Sequence, residues 1–213
     1  MPGNLRAAII TEWHPFDVIS FQRLFASFDD FEVFPQAFEI FAKDKRNTEY
    51  DVVVYYNMSF PAPDEKDTRR TYLERSLGST RQGIVLLHHG ILSYAEWPFW
   101  DGVSGTRDRN FKYYPQQTVR YNIESPAGHP ITRGLGSFTL VDESYTMAEP
   151  LADNEVLVTA DHPNSMRAIA WTRRYKSSRV FCYQSGHDDL AWSDPNFREL
   201  LHRGMLWSAG QLG

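Results

Sequence analysis

Five short apolar runs set the strongest limit on what this chain can fold into. They are "RAAIIT" (6–11), "DVVVYY" (51–56), "GIVLLH" (83–88), "EVLVTA" (155–160) and "RVFCYQ" (179–184). None alternates apolar with polar residues, so each suits a strand covered on both faces, as in a parallel sheet. Helical patterns separate the first three. "FDVISFQRLFASF" sets Val18, Phe21, Phe25 and Phe28 on one stripe, and "DEKDTRRTYLERSLG" runs from an acidic start to Gly78 as a C-cap. "FEVFPQAF" (31–38) supplies a further strand candidate, and "NFRELLHRGMLWSAG" reads as a closing helix that Asp194-Pro195 starts and Gly210 ends. The alternation predicts an α/β fold built on an open, doubly wound, mostly parallel sheet with "GIVLLH" central.

Residues 95–150 break this rhythm with "EWPFWDGVSG", "NFKYYPQQ" and "AGHPITRGLGSF", rich in aromatic residues, Gly and Pro. They read as a long connection with short antiparallel strands inside one domain spanning 1–213, and long connections are often functional. The net charge of −5 argues against a nucleic-acid groove or an anionic membrane as partner. No run approaches the roughly 18 apolar residues of a spanning helix, and no signal-peptide core follows the start. A single cysteine, Cys182, excludes an internal disulfide, fits a reducing compartment and sits in a run expected to be buried. A cytoplasmic location is the expectation.

In open α/β sheets ligands gather at the carboxyl ends of the strands. The first strand runs into Glu12-Trp13-His14, the second into Asn57, the third into His88-His89, and the last into Ser185-Gly186-His187-Asp188. Four of the seven histidines thus stand at strand exits. A single such histidine is explained by the need to end a strand in something polar; four converging ones point to a site. Familiar alternatives lack their residues. No G-x-G-x-x-G follows the first strand, and there is no P-loop, H-E-x-x-H or C-x-x-C. The turn after the third strand reads "LLHHGIL", with no Ser or Cys where a nucleophile elbow would carry one; Ser93 lies beyond it.

Histidine and carboxylate chemistry remains. Imidazole moves protons near neutral pH or ligates a divalent metal. The carboxylates within reach of such a site are Glu12, Asp142 and Glu143 of "LVDESYTM", and Asp188 and Asp189. His129 and His162 each precede a proline and read as turn entries, and His202 falls in the closing helix. Trp97, Trp100, Tyr113 and Tyr114 crowd the long connection and Trp192 follows "GHDDLA"; such rings suit the C–H faces of a sugar, and equally suit core packing.

Four segments fall in a known order: "GIVLLHHG", "HPITRGLGSFTLVDESY", "AIAWTRRYKSSRVFCYQSGHDDLAW" and "PNFRELLHRGMLWSA". Together they resemble the ThuA-like, trehalose-utilisation family over nearly the whole chain. "HPITRGL" followed by "DESY", and the "GHDDLAW" ending, are the most specific parts. The resemblance implies the class I glutamine amidotransferase-like fold, a flavodoxin-like three-layer α/β architecture. True amidotransferases carry a cysteine at the elbow and a histidine after a later strand. Here the elbow offers His88 and His89, and His187 takes the later place, so glutaminase activity is not carried over. "RYKSSRVF" departs from the family's glycines before the last strand. The family's link is to disaccharide and glucoside breakdown.

The expectation is a protein that binds a sugar or keto-sugar in the strand-exit cleft. His88, His89, His187 and Glu143 are the catalytic candidates. Glu12, His14, Asn57, Trp97, Asp142, Asp188 and Trp192 are the ligand-binding ones. Two rivals stand beside it: a non-catalytic sugar-binding accessory protein, and a metal-dependent hydrolase with His and carboxylate ligands. No cofactor is firmly implied, a divalent metal is compatible with the residues, and a homo-oligomer is left open.

Overall fold

The computed structural model describes residues 4–124 and 128–213; Met1–Gly3 and Ala127 of the quoted "AGHPITRGLGSF" lie outside the described residues. Among the described residues, nine strands form one sheet in the order β2-β1-β3-β4-β9-β8-β7-β5-β6. Strands β1 (Leu5–Ile10), β2 (Phe31–Gln36), β3 (Val52–Tyr55), β4 (Gly83–Leu87) and β9 (Ser178–Tyr183) run parallel, with β4 between β3 and β9. Strands β8 (Ala168–Tyr175), β7 (Glu155–Ala160), β5 (Lys112–Ile123) and β6 (Phe138–Thr146) continue the sheet antiparallel from β9.

The mostly parallel sheet expected from the sequence is therefore corrected to a mixed one, parallel in one half and antiparallel in the other. "EVLVTA" shows the reason. It forms β7, whose neighbours β5 and β8 both run against it. Burial on both faces makes a strand uniformly apolar whichever way its neighbours run, so the missing alternation reports coverage and not direction.

Helices cover both faces of the parallel half. Alternate residues of β1, β3 and β4 point into two separate cores: Ala7, Ile9, Val52, Val54, Val85 and Leu87 into one, Ala8, Ile10, Val53, Tyr55, Ile84 and Leu86 into the other. The first core is closed by α1 (Val18–Ala26), α5 (Asp189–Trp192) and α6 (Pro195–Ser208) through Phe21, Phe25, Trp192, Phe197 and Leu201. The second is closed by α2 (Phe38–Lys43), α3 (Thr68–Thr71, widening into a π turn to Ser76) and α4 (Pro98–Ser104) through Phe38, Phe41, Leu73, Trp100 and Val103.

Local chemistry fixes the helix ends as the sequence suggests. Asp17 caps α1 by accepting from the Ile19 and Ser20 N–H groups, and Asp194 caps α6 by accepting from those of Asn196 and Phe197. Gly78 and Gly210 both take positive φ just past their helices. Val18, placed on the buried stripe of α1, is instead exposed, and Leu24 fills that position. Cys182 is fully buried in β9, where burial pushes its thiol pKa far up. Among the described residues, no helix is long and apolar enough to cross a membrane.

Candidate functional site

The site is built where β4 ends. His88 adopts φ +50°, a left-handed conformation that costs energy in any residue with a Cβ, and begins a tight 3-10 turn over residues 88–92. Gly90 makes that turn fit, because a Cβ there would run into the Tyr55 carbonyl of β3. The strained turn drives His88 and His89 down into the protein, and both are essentially fully buried.

His88 is held at both ring nitrogens. Its Nδ1 lies 2.7 Å from the Gln184 carbonyl, which can only accept, so this nitrogen carries the proton. Its Nε2 lies 2.6 Å from the Tyr145 hydroxyl, and the two rings stack with centroids 4.8 Å apart. Burial pushes the Tyr145 phenol well above its ordinary pKa, with the carboxylates of Glu143 and Asp142 adding to the effect. Tyr145 therefore stays neutral.

Glu143 stands between two imidazoles. Its Oε1 is 3.6 Å from His88 Nε2 and its Oε2 is 3.8 Å from His187 Nε2. Burial pushes the Glu143 carboxyl up, but the hydrogen bonding and charge of His88, then His187 and Tyr145, outweigh it and hold its pKa below the usual value. On the far side of His187, Nδ1 lies 3.6 Å from Asp188 Oδ2. The result is a line of groups from Asp188 through His187 and Glu143 to His88 and the Gln184 carbonyl. Side chains at His187 remain 28% exposed and at Glu143 11%, whereas His88 shows none. The line thus opens to solvent or a ligand at Asp188, which is 34% exposed, and at His187.

Two further imidazoles complete the cluster. His14 comes from the β1 exit, with its ring centroid 4.4 Å from that of His89 and 5.5 Å from that of His187. His89 packs 4.3 Å from the Tyr56 ring and 5.1 Å from His88. Burial, reinforced by neighbouring imidazoles, lowers the pKa of His14 and lowers that of His89 much further. Both are therefore neutral near pH 7.

The remaining candidates divide by what they touch. Asp142 is buried and fully engaged: it accepts from Ser185 Oγ, from the N–H groups of Gly186 (2.6 Å) and His187 (3.0 Å), and from the N–H of Glu143 (2.8 Å). It shapes the β9 exit and has no oxygen left for a ligand. Three strands separate β6 from β9 in the sheet, so this contact requires the antiparallel half to arch back; a bulge in β5 between Tyr114 and Gln117 supplies a bend. Glu12 accepts from the Phe38 N–H and caps α2, while burial raises its pKa. Asn57 is buried and donates to Ser59 Oγ at 2.9 Å. Trp192 is buried beside Phe21 and Tyr56 and donates its indole N–H to the Gly186 carbonyl at 2.8 Å, which makes it a support of the His187 turn. Trp97 stacks on Phe99 under the Arg70 guanidinium, outside the histidine cluster. Asp188 touches His187 and also caps α5.

Sequence reasoning missed Tyr145, Gln184 and Tyr56. Tyr145 stands in the "DESY" segment two residues after Glu143, on the same face of β6, and that period of two was a usable signal. Tyr56 donates to the His187 carbonyl at 3.0 Å. Gln184 acts through its backbone, which a residue name does not reveal.

His88, Glu143 and His187 offer ligand atoms that all lie within 4.8 Å of one another. His88 has the Nδ1–H to carbonyl bond that metal-bound imidazoles often make. The Tyr145 hydroxyl, however, already lies on its Nε2, so a metal would have to displace it.

Comparison with known proteins agrees with this architecture. A ThuA-like protein of Parabacteroides merdae superposes with a TM-score of 0.76 at 20% identity, covering 98% of this chain and 91% of that one. A ThuA-like protein of Bacteroides uniformis gives 0.74 at 21%, covering 98% and 93%. A cytoplasmic protein of Salmonella typhimurium gives 0.68 at 13%, covering 96% and 99%. A sequence search among curated proteins finds no significant match. The family model described as ThuA, trehalose utilisation, matches residues 17–208, and the chain belongs to that family.

Proposed function

We propose that the protein binds a sugar or keto-sugar over His187 and Glu143, and that these residues, backed by His88, exchange protons with its hydroxyl or carbonyl groups. The observation that carries this reading is the line from Asp188 to His88, in which Asp188, His187 and Glu143 are reachable and His88 is sealed behind them. A carboxylate held ionised between two imidazoles accepts a proton and passes it on, and separations of 3.6–3.8 Å are of the kind that tighten once a ligand seats. No thiol stands at the elbow, so glutamine is not a substrate in this reading. Family membership in trehalose utilisation supports a carbohydrate ligand.

The metal-dependent reading has one observation of its own, the three converging ligand atoms of His88, Glu143 and His187. Both readings meet in one experiment. Binding and turnover of glucose, trehalose and their keto derivatives are measured on protein purified without chelators or an affinity tag, with elemental analysis alongside. His187→Ala is expected to abolish binding or turnover with little loss of stability, and His202→Ala, whose ring pairs with Asp30, stacks on Phe28 and meets Phe31 edge-on away from the cluster, is expected to leave binding and turnover unchanged. Binding without turnover identifies an accessory protein. A stoichiometric metal whose loss removes activity favours the hydrolase. Unimpaired sugar binding in His187→Ala overturns the site.

A further inference from the structure

We propose an anion site, suited to a phosphate group, at the end of the sheet opposite the histidine cluster. A groove of about 470 Å³ lies there, lined in part by Arg81, Arg174, Arg179, Ser177 and Ser208. Arg81 precedes β4, Arg174 and Arg179 flank the turn from β8 to β9, and Ser208 ends α6. Three segments distant in sequence thus meet at one place. Three guanidiniums line the groove and no carboxylate does, in a chain whose net charge is −5. The site stands or falls independently of the sugar-binding reading.

Folding does not account for these arginines. Arg174 and Arg179 stand directly opposite each other in the β8–β9 hairpin, so their side chains share one face. Like charges placed that way weaken the pairing. Among the described residues, the guanidiniums of Arg81 and Arg174 have neither a hydrogen bond nor an ion pair. Arg179 is anchored. Its Nη1 donates to the Trp207 carbonyl at 3.0 Å and the Leu212 carbonyl at 3.1 Å, and the guanidinium lies 5.1 Å over the Trp207 ring. It satisfies the end of α6 and fixes one wall of the groove. Ser208 adds a separate signal: it is 1% exposed and its hydroxyl has no partner. A buried polar group left unpaired is destabilising, and a ligand oxygen that reaches it removes the cost.

The donor set selects the ligand class. Guanidinium forks pair bidentately with carboxylates and phosphates. A carboxylate has two oxygens on one edge and satisfies one fork. A phosphate presents oxygens on several sides and can meet converging forks and a hydroxyl together. The volume falls within the ~300–1,000 Å³ of small-molecule sites and exceeds what one phosphate fills. The ligand class is therefore a small molecule that carries one or two phosphate groups.

Calorimetric titration at low salt with inorganic phosphate, pyrophosphate and citrate tests this, with melting curves of the same samples. Wild-type protein is expected to bind pyrophosphate about tenfold more tightly than inorganic phosphate, and citrate more weakly than either. Arg174→Gln is expected to lose about tenfold in pyrophosphate affinity. Without ligand it should melt no lower than wild type, because the facing charges no longer repel. Ser208→Ala is expected to lose about threefold in affinity, again with no lower melting temperature. Arg120→Gln, an exposed position on β5 outside the groove, should bind pyrophosphate like wild type. Failure of wild type to bind either phosphate probe overturns the site, and so does an Arg174→Gln variant that binds pyrophosphate as tightly as wild type. A ligand-free Arg174→Gln that melts clearly lower shows that the guanidinium serves the fold, and overturns the reading as well. Citrate binding more tightly than pyrophosphate overturns the phosphate class.

Discussion

At the residue scale, the decisive distinction is between groups that face the cleft and groups that hold it. Asp142 and Glu143 are neighbours in one strand, and the chain turns them to opposite uses. Glu143 faces the imidazoles; Asp142 satisfies three backbone N–H groups and a hydroxyl that would otherwise be buried without partners. Burial raises the Asp142 pKa, opposed by the charge of His88 and these hydrogen bonds, so the carboxylate is costly to bury and costlier to remove. Asp142→Ala is expected to cost about 3 kcal/mol or more, since each orphaned buried donor costs about 1–3 kcal/mol. A urea titration of the variant reads this, and a loss below about 1 kcal/mol would show that water satisfies those groups. The sequence reading made Glu143 a catalytic candidate and Asp142 a ligand-binding one, but could not show that the chain itself takes up both oxygens of Asp142. A carboxylate's partners are set by strands that meet only in three dimensions, here β6 and the end of β9.

At the element scale, the turn after β4 was legible because its parts are local. An apolar run, two polar residues and a glycine announce a strand that must turn sharply. His88 at positive φ and Gly90 against the Tyr55 carbonyl are the structural counterparts. Gly90→Ala is expected to destabilise the protein by about 3 kcal/mol, because the obstacle is a backbone atom of a central strand, which cannot swing aside as a side chain would. The same substitution shifts His88 off Tyr145 and Gln184, so sugar binding should weaken beyond what unfolding explains. Thermal melting and titration on one sample separate the two effects; a variant as stable as wild type would mean that the turn relaxes. The long hairpin of β5 and β6 was less legible. Only short antiparallel strands were expected in residues 95–150, whereas β5 runs for 12 residues and β6 for 9. β5 is largely exposed along most of its length, and an exposed ribbon has no apolar stripe to mark it.

At the scale of the whole molecule, the sheet brings four histidines from three distant segments to one edge, a convergence foreseen from strand exits alone. Strand direction in the other half was not foreseen, because direction depends on connections that composition does not encode. The convergence has a thermodynamic consequence. His14 and His89 have folded pKa values below the ordinary 6.5, chiefly through burial and then through the charges of nearby imidazoles. The unfolded chain therefore binds more protons than the folded one once the pH falls below about 6.5, and stability must fall with it. The contribution is complete above that pH and is lost progressively below it. His89 carries most of the effect: it is the more deeply buried, packed among His14, His88 and Tyr56, with only the Tyr56 carbonyl favouring its protonated form. The raised carboxyls of Asp142 and Glu12 act in the opposite sense at more acidic pH, so the histidine contribution is best read as a difference. Melting temperatures of wild type and His89→Gln are compared at pH 8, 7, 6 and 5.5. Wild type should lose stability steeply across the lower part of this range and the variant, neutral throughout at residue 89, should lose less. Parallel curves for the two proteins would mean that His89 reaches solvent or a partner when protonated, and that the buried, neutral imidazole described above is wrong.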